Sequence, residues 1–305
     1  MSAQITYSTT ISADITLSTK VPMKRVLSIA GLLLWSLLSR AQFGEIQQIK
    51  HNLPFINDSL KKNDQLNRLA QLITARYPDS GFYYVAIAKS MAERMKYTRG
   101  IAMANKTYGV LLTGENNYLA ATYLNTCLGQ FRSIGDTEGE SMTLMNMANL
   151  IFLDGDTTRG HTYLLQAYQV SLMLKKDSVQ SIIINNLNMH SPNYLSPQVN
   201  TLQRKGRAIA QKYRDERMLL YYRMFDAYQL GDRKRYSEAI RILQSALKTA
   251  DSIGNEYVKL SVYFELGSRM ILTDTAKAIA YYRAGLAFVL TSVPFTIKPF
   301  RSLAQ

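Results

Sequence analysis

Chemistry in a protein chain needs nucleophiles, proton carriers or metal ligands at workable spacings, and this sequence is poor in all three. Of its 305 residues one is cysteine, Cys127, and three are histidine, His51, His161 and His190. A single cysteine excludes an internal disulfide and any Cys-rich zinc site. A site built from imidazoles alone would need every histidine in the chain. Glycine-rich phosphate loops, Gly-x-Ser-x-Gly and His-Glu-x-x-His are all missing. Cys127 paired with a histidine base is the one nucleophile that residue type permits. It stands, however, where small residues recur along the chain, and a free cysteine in such a place packs as a small hydrophobe. His161 lies near a turn and His190 shortly before a proline, so both are expected at the surface. No catalytic residue, metal ligand or cofactor is expected, and the chain reads as a non-enzyme.

Charge offers a different chemistry. Thirty-six Lys and Arg against twenty-two Asp and Glu give +14, within an ordinary globular composition of 47% hydrophobic and 19% charged residues. Basic residues concentrate at Arg204, Lys205, Arg207, Lys212, Arg214 and Arg217, and again at Arg233, Lys234 and Arg235. Phosphate contacts to a nucleic acid would use such a cluster. A solvated helix face followed by a basic turn accounts for it more simply, so no nucleic acid is expected as partner.

The chain start argues for export. Lys24 and Arg25 precede the apolar stretch 26–38, which is too short for a comfortable membrane span, and Ser39 and Ala41 supply small residues before Gln42. Residues 23–41 are expected to be a signal peptide cleaved between Ala41 and Gln42, placing the mature protein in the periplasm or another extracytoplasmic space. Residues 1–22, which precede a second methionine at Met23, read as a mis-annotated extension or a disordered segment. Loss of 1–41 removes Lys20, Lys24, Arg25, Arg40 and Asp14, leaving a body of +11.

The elements that must position any functional residue come from periodicity. From Phe43 onward apolar residues recur at three and four, the helical spacing, in windows separated by turns such as Gly135-Asp136 and Gly254-Asn255. Small residues at Ala70, Gly109, Ala148, Ala227 and Gly267 are spaced by about 40 residues, with Asn188 in the skipped place. A second series, Ala88, Cys127, Ala167, Ala208, Ala246 and Gly285, interlocks with the first. Antiparallel helices approach closely only where the contact point lacks a bulky side chain. One helix pair cannot bury its apolar face alone, so neighbouring pairs must stack. The expectation is an all-α, right-handed solenoid of antiparallel helix pairs, about 40 residues per repeat, preceded by the signal peptide. Its parts would be a linker at 42–57, six units over 58–299, and the start of a seventh, truncated unit at 300–305, where Leu303-Ala304 repeats the phase of Leu266-Gly267.

This pattern resembles the tetratricopeptide repeat family, in a form with lengthened turns. The best-matching unit is 141–174, with Met147-Ala148 at the family's Leu-Gly pair and Gly160 and Ala167 at its two alanines. Asp226 stands where a leucine is expected, and the segment 190–197 cuts one helix short. The resemblance implies a groove lined by the first helix of each pair, holding a protein or an extended peptide. Carried onto this sequence, its groove positions are Lys106, Met145, Asn149, Asn185, Met189, Tyr221, Met224, Tyr228, Phe264 and Ser268. The clamp with which some members hold chaperone tails is not reproduced, since Val110 and Ile182 replace its polar residues. The wording around Arg99-Gly100-Ile101-Ala102, Gly135-Asp136 and Met145-Asn146-Met147-Ala148 is most similar to the extracytoplasmic repeat region of bacterial sensor histidine kinases. That implies a sensory input region, with a membrane helix and kinase domain following beyond this chain. A freestanding periplasmic adaptor is the alternative, and a basic helical-repeat nucleic-acid binder a more distant one.

Overall fold

The computed structural model of the protein describes residues 41–74, 77–271 and 273–292. Contacts group the described residues as one compact unit. The expected signal peptide, apart from Ala41, and the expected seventh unit lie outside the described residues.

Among the described residues there are thirteen α-helices, a single 3₁₀ turn and no strand. In chain order they are α1 Ala41–Asn52, the 3₁₀ turn Leu53–Phe55, α2 Ser59–Thr74, α3 Pro78–Arg94, α4 Thr98–Leu112 and α5 Asn117–Ser133. There follow α6 Thr137–Leu153, α7 Thr157–Ser171, α8 Ser178–Met189 and α9 Pro197–Lys212. The last four are α10 Glu216–Asp232, α11 Tyr236–Ser252, α12 Glu256–Met270 and α13 Thr275–Ser292. Residues 42–57, expected to be a linker, are largely α1 and the 3₁₀ turn. Ile49 of α1 is buried against Leu69, Leu72 and Ile73 of α2, and Glu45 pairs with Arg68 at 2.8 Å. The first helix pair, α2 and α3, has an apolar flank facing α1. The helix α1 covers that flank, which is why a segment with weak amphipathicity becomes ordered there.

Local sequence fixes where each helix starts. Asn116, Asp136, Asp156, Ser196, Asp215 and Asn255 each accept a hydrogen bond from the backbone N–H three residues on. Each thereby satisfies one of the donors that a helix start leaves free. Several turns need a left-handed residue just before the next cap. Glycine supplies it at Gly135 (φ 68°) and Gly155 (φ 85°), while Lys96, Arg214 and Lys234 adopt it without glycine's freedom.

Each helix packs on the next, and α2, α4, α6, α8, α10 and α12 also touch one another in a continuous row. The small-residue series explains the close approaches. Ala70, Ala88, Cys127, Ala148, Ala167, Ala227 and Ala246 are fully buried. A side chain at Gly109 would collide with Leu124, whose nearest atom lies 2.6 Å from the ideal Cβ position. Two stations depart from the series. Asn188 is fully buried; its Nδ2 donates to Gln203 Oε1 at 3.0 Å, while its Oδ1 has no partner among the described residues. Ala208 is exposed, and the close contact in its pair is made two residues earlier at Gly206, where a Cβ would sit 1.8 Å from the Tyr222 hydroxyl.

Candidate partner-binding face

The even-numbered helices present one face to their odd partners and their flanks to one another, which leaves a face free. The ten groove positions distribute unevenly over it. Phe264 (43% exposed) and Ser268 are open on α12, and Met189 (43% exposed) ends α8. Asn149 on α6, Asn185 on α8, and Tyr221 and Tyr228 on α10 are half-buried. Lys106 on α4 is half-buried too, and burial pushes its ammonium pKa down, against the attraction of Glu138 and Asp136.

Met145 and Met224 do not belong to the open face. Met145 lies in the core with Leu144, Ala148 and Ile183, and Asn186 of α8 donates to its Sδ at 3.5 Å. Met224 packs among Leu220, Val258 and Leu266, between α10 and α12. Both sit at the seams where neighbouring even helices touch. At those seams an unbranched side chain fills an irregular gap instead of offering a surface.

Cys127 is fully buried, as its small-residue station implied. Burial pushes its thiol up to about 11, partly offset by the Thr143 hydroxyl at 3.7 Å and by Lys106. A thiol held neutral and out of solvent is a poor nucleophile. His190 is exposed at the end of α8, as expected, but its ring stacks on Phe152 with centroids 3.8 Å apart, and this partial desolvation, with the nearby His161, lowers its pKa. Among the described residues no three His, Cys, Asp or Glu side chains converge as a metal site. The basic cluster is partly consumed internally. Arg207 pairs with Asp226 at 2.5 Å, Lys212 with Asp177 at 3.0 Å and Arg235 with Glu238 at 2.6 Å, while Lys205 donates to the Tyr168 hydroxyl.

Two polar recesses were not foreseen. One, of about 460 Å³, lies between α9 and α10, where Gln203, Arg207 and Asp226 replace the apolar contacts of other pairs. The other, of about 530 Å³, lies at the amino-terminal end of the even row, between α1, α2 and α4. Its walls carry Glu45, Asp64, Asn67, Arg68, Arg99 and Met103. Arg99 bridges Asp64 (3.5 Å) on α2 and Asp136 (2.9 Å) at the cap of α6, and Tyr97 donates to Asp64 at 3.0 Å. The sequence did carry a trace of this. Asp64, Arg99 and Asp136 recur at close to one repeat length, as charged residues on or beside first helices.

Helix pairs whose first members form a continuous row define a tetratricopeptide-like helical-repeat protein. No family model and no curated protein sequence matches the chain. Among solved structures, the chain is similar to a Rap protein complexed with Competence and Sporulation Factor, at TM-score 0.66 and 15% identity. That match covers 80% of this chain and 69% of the other. It is also similar to aspartyl phosphate phosphatase F from Bacillus subtilis, at TM-score 0.56 and 14% identity, covering 87% of this chain and 72% of that one. At such identities the shared property is the fold.

Proposed function

We propose that this protein is a non-enzymatic binding scaffold, a right-handed solenoid whose even-helix face holds a protein or an extended peptide. The observation that carries the reading is the free face of the continuous row. There half-buried amides and aromatics, Asn149, Asn185, Tyr221 and Tyr228, stand beside the open Phe264 and Met189. Asparagine side chains supply both a donor and an acceptor, the pair that a peptide backbone requires. Tyr and Met supply an adaptable apolar surface. That a fold neighbour, the Rap protein, was solved with Competence and Sporulation Factor supports the same mode of use.

The scaffold is read as exported and as the sensory input region of a longer two-component sensor, with the freestanding periplasmic adaptor as the second reading. Lys24, Arg25, the apolar stretch 26–38 and the small residues before Gln42 support export. Among the described residues no helix is long and apolar enough to cross a membrane.

Selection of peptides from a random display library on the immobilised protein tests the binding face. Selected peptides are expected to lose binding to an Asn149→Arg/Asn185→Arg variant and to retain it for Arg241→Glu on α11. Peptides indifferent to the groove variant would refute the reading. Sequencing the amino terminus of protein recovered from a bacterial periplasm tests export, with Gln42 as the expected first residue.

A further inference from the structure

We infer that the recess between α9 and α10 is a second binding site, separate from the groove. Its ligand is the carboxyl terminus of a peptide chain, recognised by the carboxylate together with the adjoining amide N–H. Three observations lead to it.

The first is charge that does not cancel. Three charged side chains line the recess, Arg204, Arg207 and Asp226. Arg207 and Asp226 neutralise one another, and Asp226 also accepts from Gln203 Nε2 at 3.2 Å. Arg204 is left over. It is exposed, meets no carboxylate among the described residues, and makes only a long hydrogen bond to Thr201 Oγ1 at 3.4 Å. The spare charge is thus one guanidinium, whose planar fork matches a carboxylate. A dianionic phosphate would meet repulsion from Asp226 on the same wall.

The second is a pair of amides with one unused atom each. Gln229 lines the recess and is only 5% exposed. Its Nε2 donates to the Tyr194 carbonyl at 2.6 Å and to Asn200 Oδ1 at 3.0 Å. A flipped Gln229 would set oxygen against the Tyr194 carbonyl, so Oε1 must remain the unused atom. Among the described residues nothing donates to that oxygen, and it is not sealed from solvent as Asn188 Oδ1 is. Asn200, which also lines the recess, turns its Oδ1 to Gln229 and so keeps Nδ2 free to donate. A nearly buried residue therefore offers an acceptor, and its neighbour a donor, to whatever occupies the recess.

The third is spacing. One hydrogen bond joins the two amides, so the free donor and the free acceptor are adjacent. Arg204 follows Asn200 by one turn on the same face of α9. The ligand must carry an acceptor and a donor equally close, with negative charge on the acceptor. The last residue of a peptide does so, since its amide nitrogen lies two bonds from the carboxylate carbon. In an Asp or Glu side chain the separation is three or four bonds. The volume, about 460 Å³, lies in the range that admits a small ligand or a chain end. Asp226 stands two residues before Tyr228, about 200° round α10, so the recess opens toward the odd helices. Neither site needs the other.

The test is NMR titration of the ¹⁵N-labelled protein with Nα-acetyl-glycyl-glycine, its carboxyl-terminal amide, Nα-acetyl-aspartic acid α-amide and inorganic phosphate. The free acid should shift the side-chain amides of Asn200 and Gln229, and its amide should not. Arg204→Gln, at an exposed position, should weaken the response about tenfold, the size of one charge-assisted hydrogen bond. Asn200→Asp keeps the oxygen that Gln229 uses and replaces the free donor with a negative charge, so it should abolish the response. The dispersion of each spectrum reports folding. Equal shifts from the amide form, no shift from any probe, or an undiminished response in Arg204→Gln would overturn the site. A stronger response to phosphate would overturn the carboxylate as ligand. A response to the aspartic acid derivative alone would overturn the chain terminus as its source. Shifts confined to Asn149 and Asn185 would place the probe in the groove and overturn the recess as a site.

Discussion

Gly206→Ala places one methyl group at the tightest point of the fold. An ideal Cβ there would lie 1.8 Å from the Tyr222 hydroxyl, 2.6 Å from Tyr222 Cζ and 2.9 Å from Ile184 Cγ2. Tyr222 is fully buried and cannot swing into solvent. Its hydroxyl donates to the Ser181 carbonyl at 2.6 Å, and Ser181 Oγ donates to the Gly206 carbonyl at 3.0 Å. The methyl therefore breaks a closed lock between α8, α9 and α10. Overpacking costs roughly 1–3 kcal/mol, and stranding a buried polar group costs roughly 1–3 kcal/mol more. The expected loss is about 2–6 kcal/mol, read as a fall in the urea midpoint at constant slope. Tyr222→Phe alone should cost about 0.5–1.5 kcal/mol, because it removes one buried hydrogen bond while the Ser181 carbonyl keeps its place within the helix α8. The double variant should cost less than the two losses added, since removing the hydroxyl also removes the nearest collision. A Gly206→Ala protein within about 0.5 kcal/mol of the parent would refute the argument. Strict additivity would refute it too, because the lock would then not be one unit.

Four further outcomes follow from turns, caps and burial elsewhere in the fold. Lys96→Gly and Lys234→Gly, at exposed turn positions with φ of 54° and 61°, should each stabilise the protein by about 0.5–1 kcal/mol in the same urea assay. Asp136→Ala should cost about 1–2 kcal/mol, and more than Asp156→Ala, because Asp136 caps the Gly139 N–H at 2.8 Å and also holds Arg99 at 2.9 Å, whereas Asp156 only caps Arg159. Cys127 should resist a thiol reagent at pH 8 in the folded protein and react at once in urea; rapid native labelling would contradict its burial. Its folded pKa lies above the unfolded value, so its contribution to stability is complete below the ordinary cysteine range. That contribution is lost as pH rises toward about 11, measurable as an alkaline fall in the midpoint that Cys127→Ala makes shallower, the remainder coming from buried tyrosines such as Tyr222 whose pKa is also raised.

What the sequence disclosed and what it hid have one physical origin. Close helix contacts demand small residues, and a demand imposed once per repeat leaves a period. Ala70, Gly109, Ala148 and Ala227 were therefore readable without coordinates. Tyr222 shows the limit. Once a tyrosine hydroxyl fills the gap between α8 and α9, the point that must stay empty moves from Ala208 to Gly206. No single-chain period records that exchange. Groove positions obey no comparable demand. Assigning them by family register placed Met145 and Met224 on an open face when each is buried at a seam between even helices. A shift of one position around a helix, 100°, turns a free side chain into a packed one.

The amino-terminal cavity was hidden for a third reason, because its walls come from elements with different spacings. Glu45 belongs to a helix outside the repeat, and Asn67 acquires its unpaired oxygen only through Asn63 and the Ala88 carbonyl. Repetition accounts for the row of even helices, yet the two recesses lie where repetition fails. One is beside α1, a helix outside the repeat that packs on the first pair. The other is beside the shortened α8, where Asn188, Gln203 and Asp226 replace apolar contacts. A repeat array offers the same surface many times. Distinct chemistry enters it where a unit is interrupted or capped, because charged and amide groups there can line a recess without breaking a seam that the other units share.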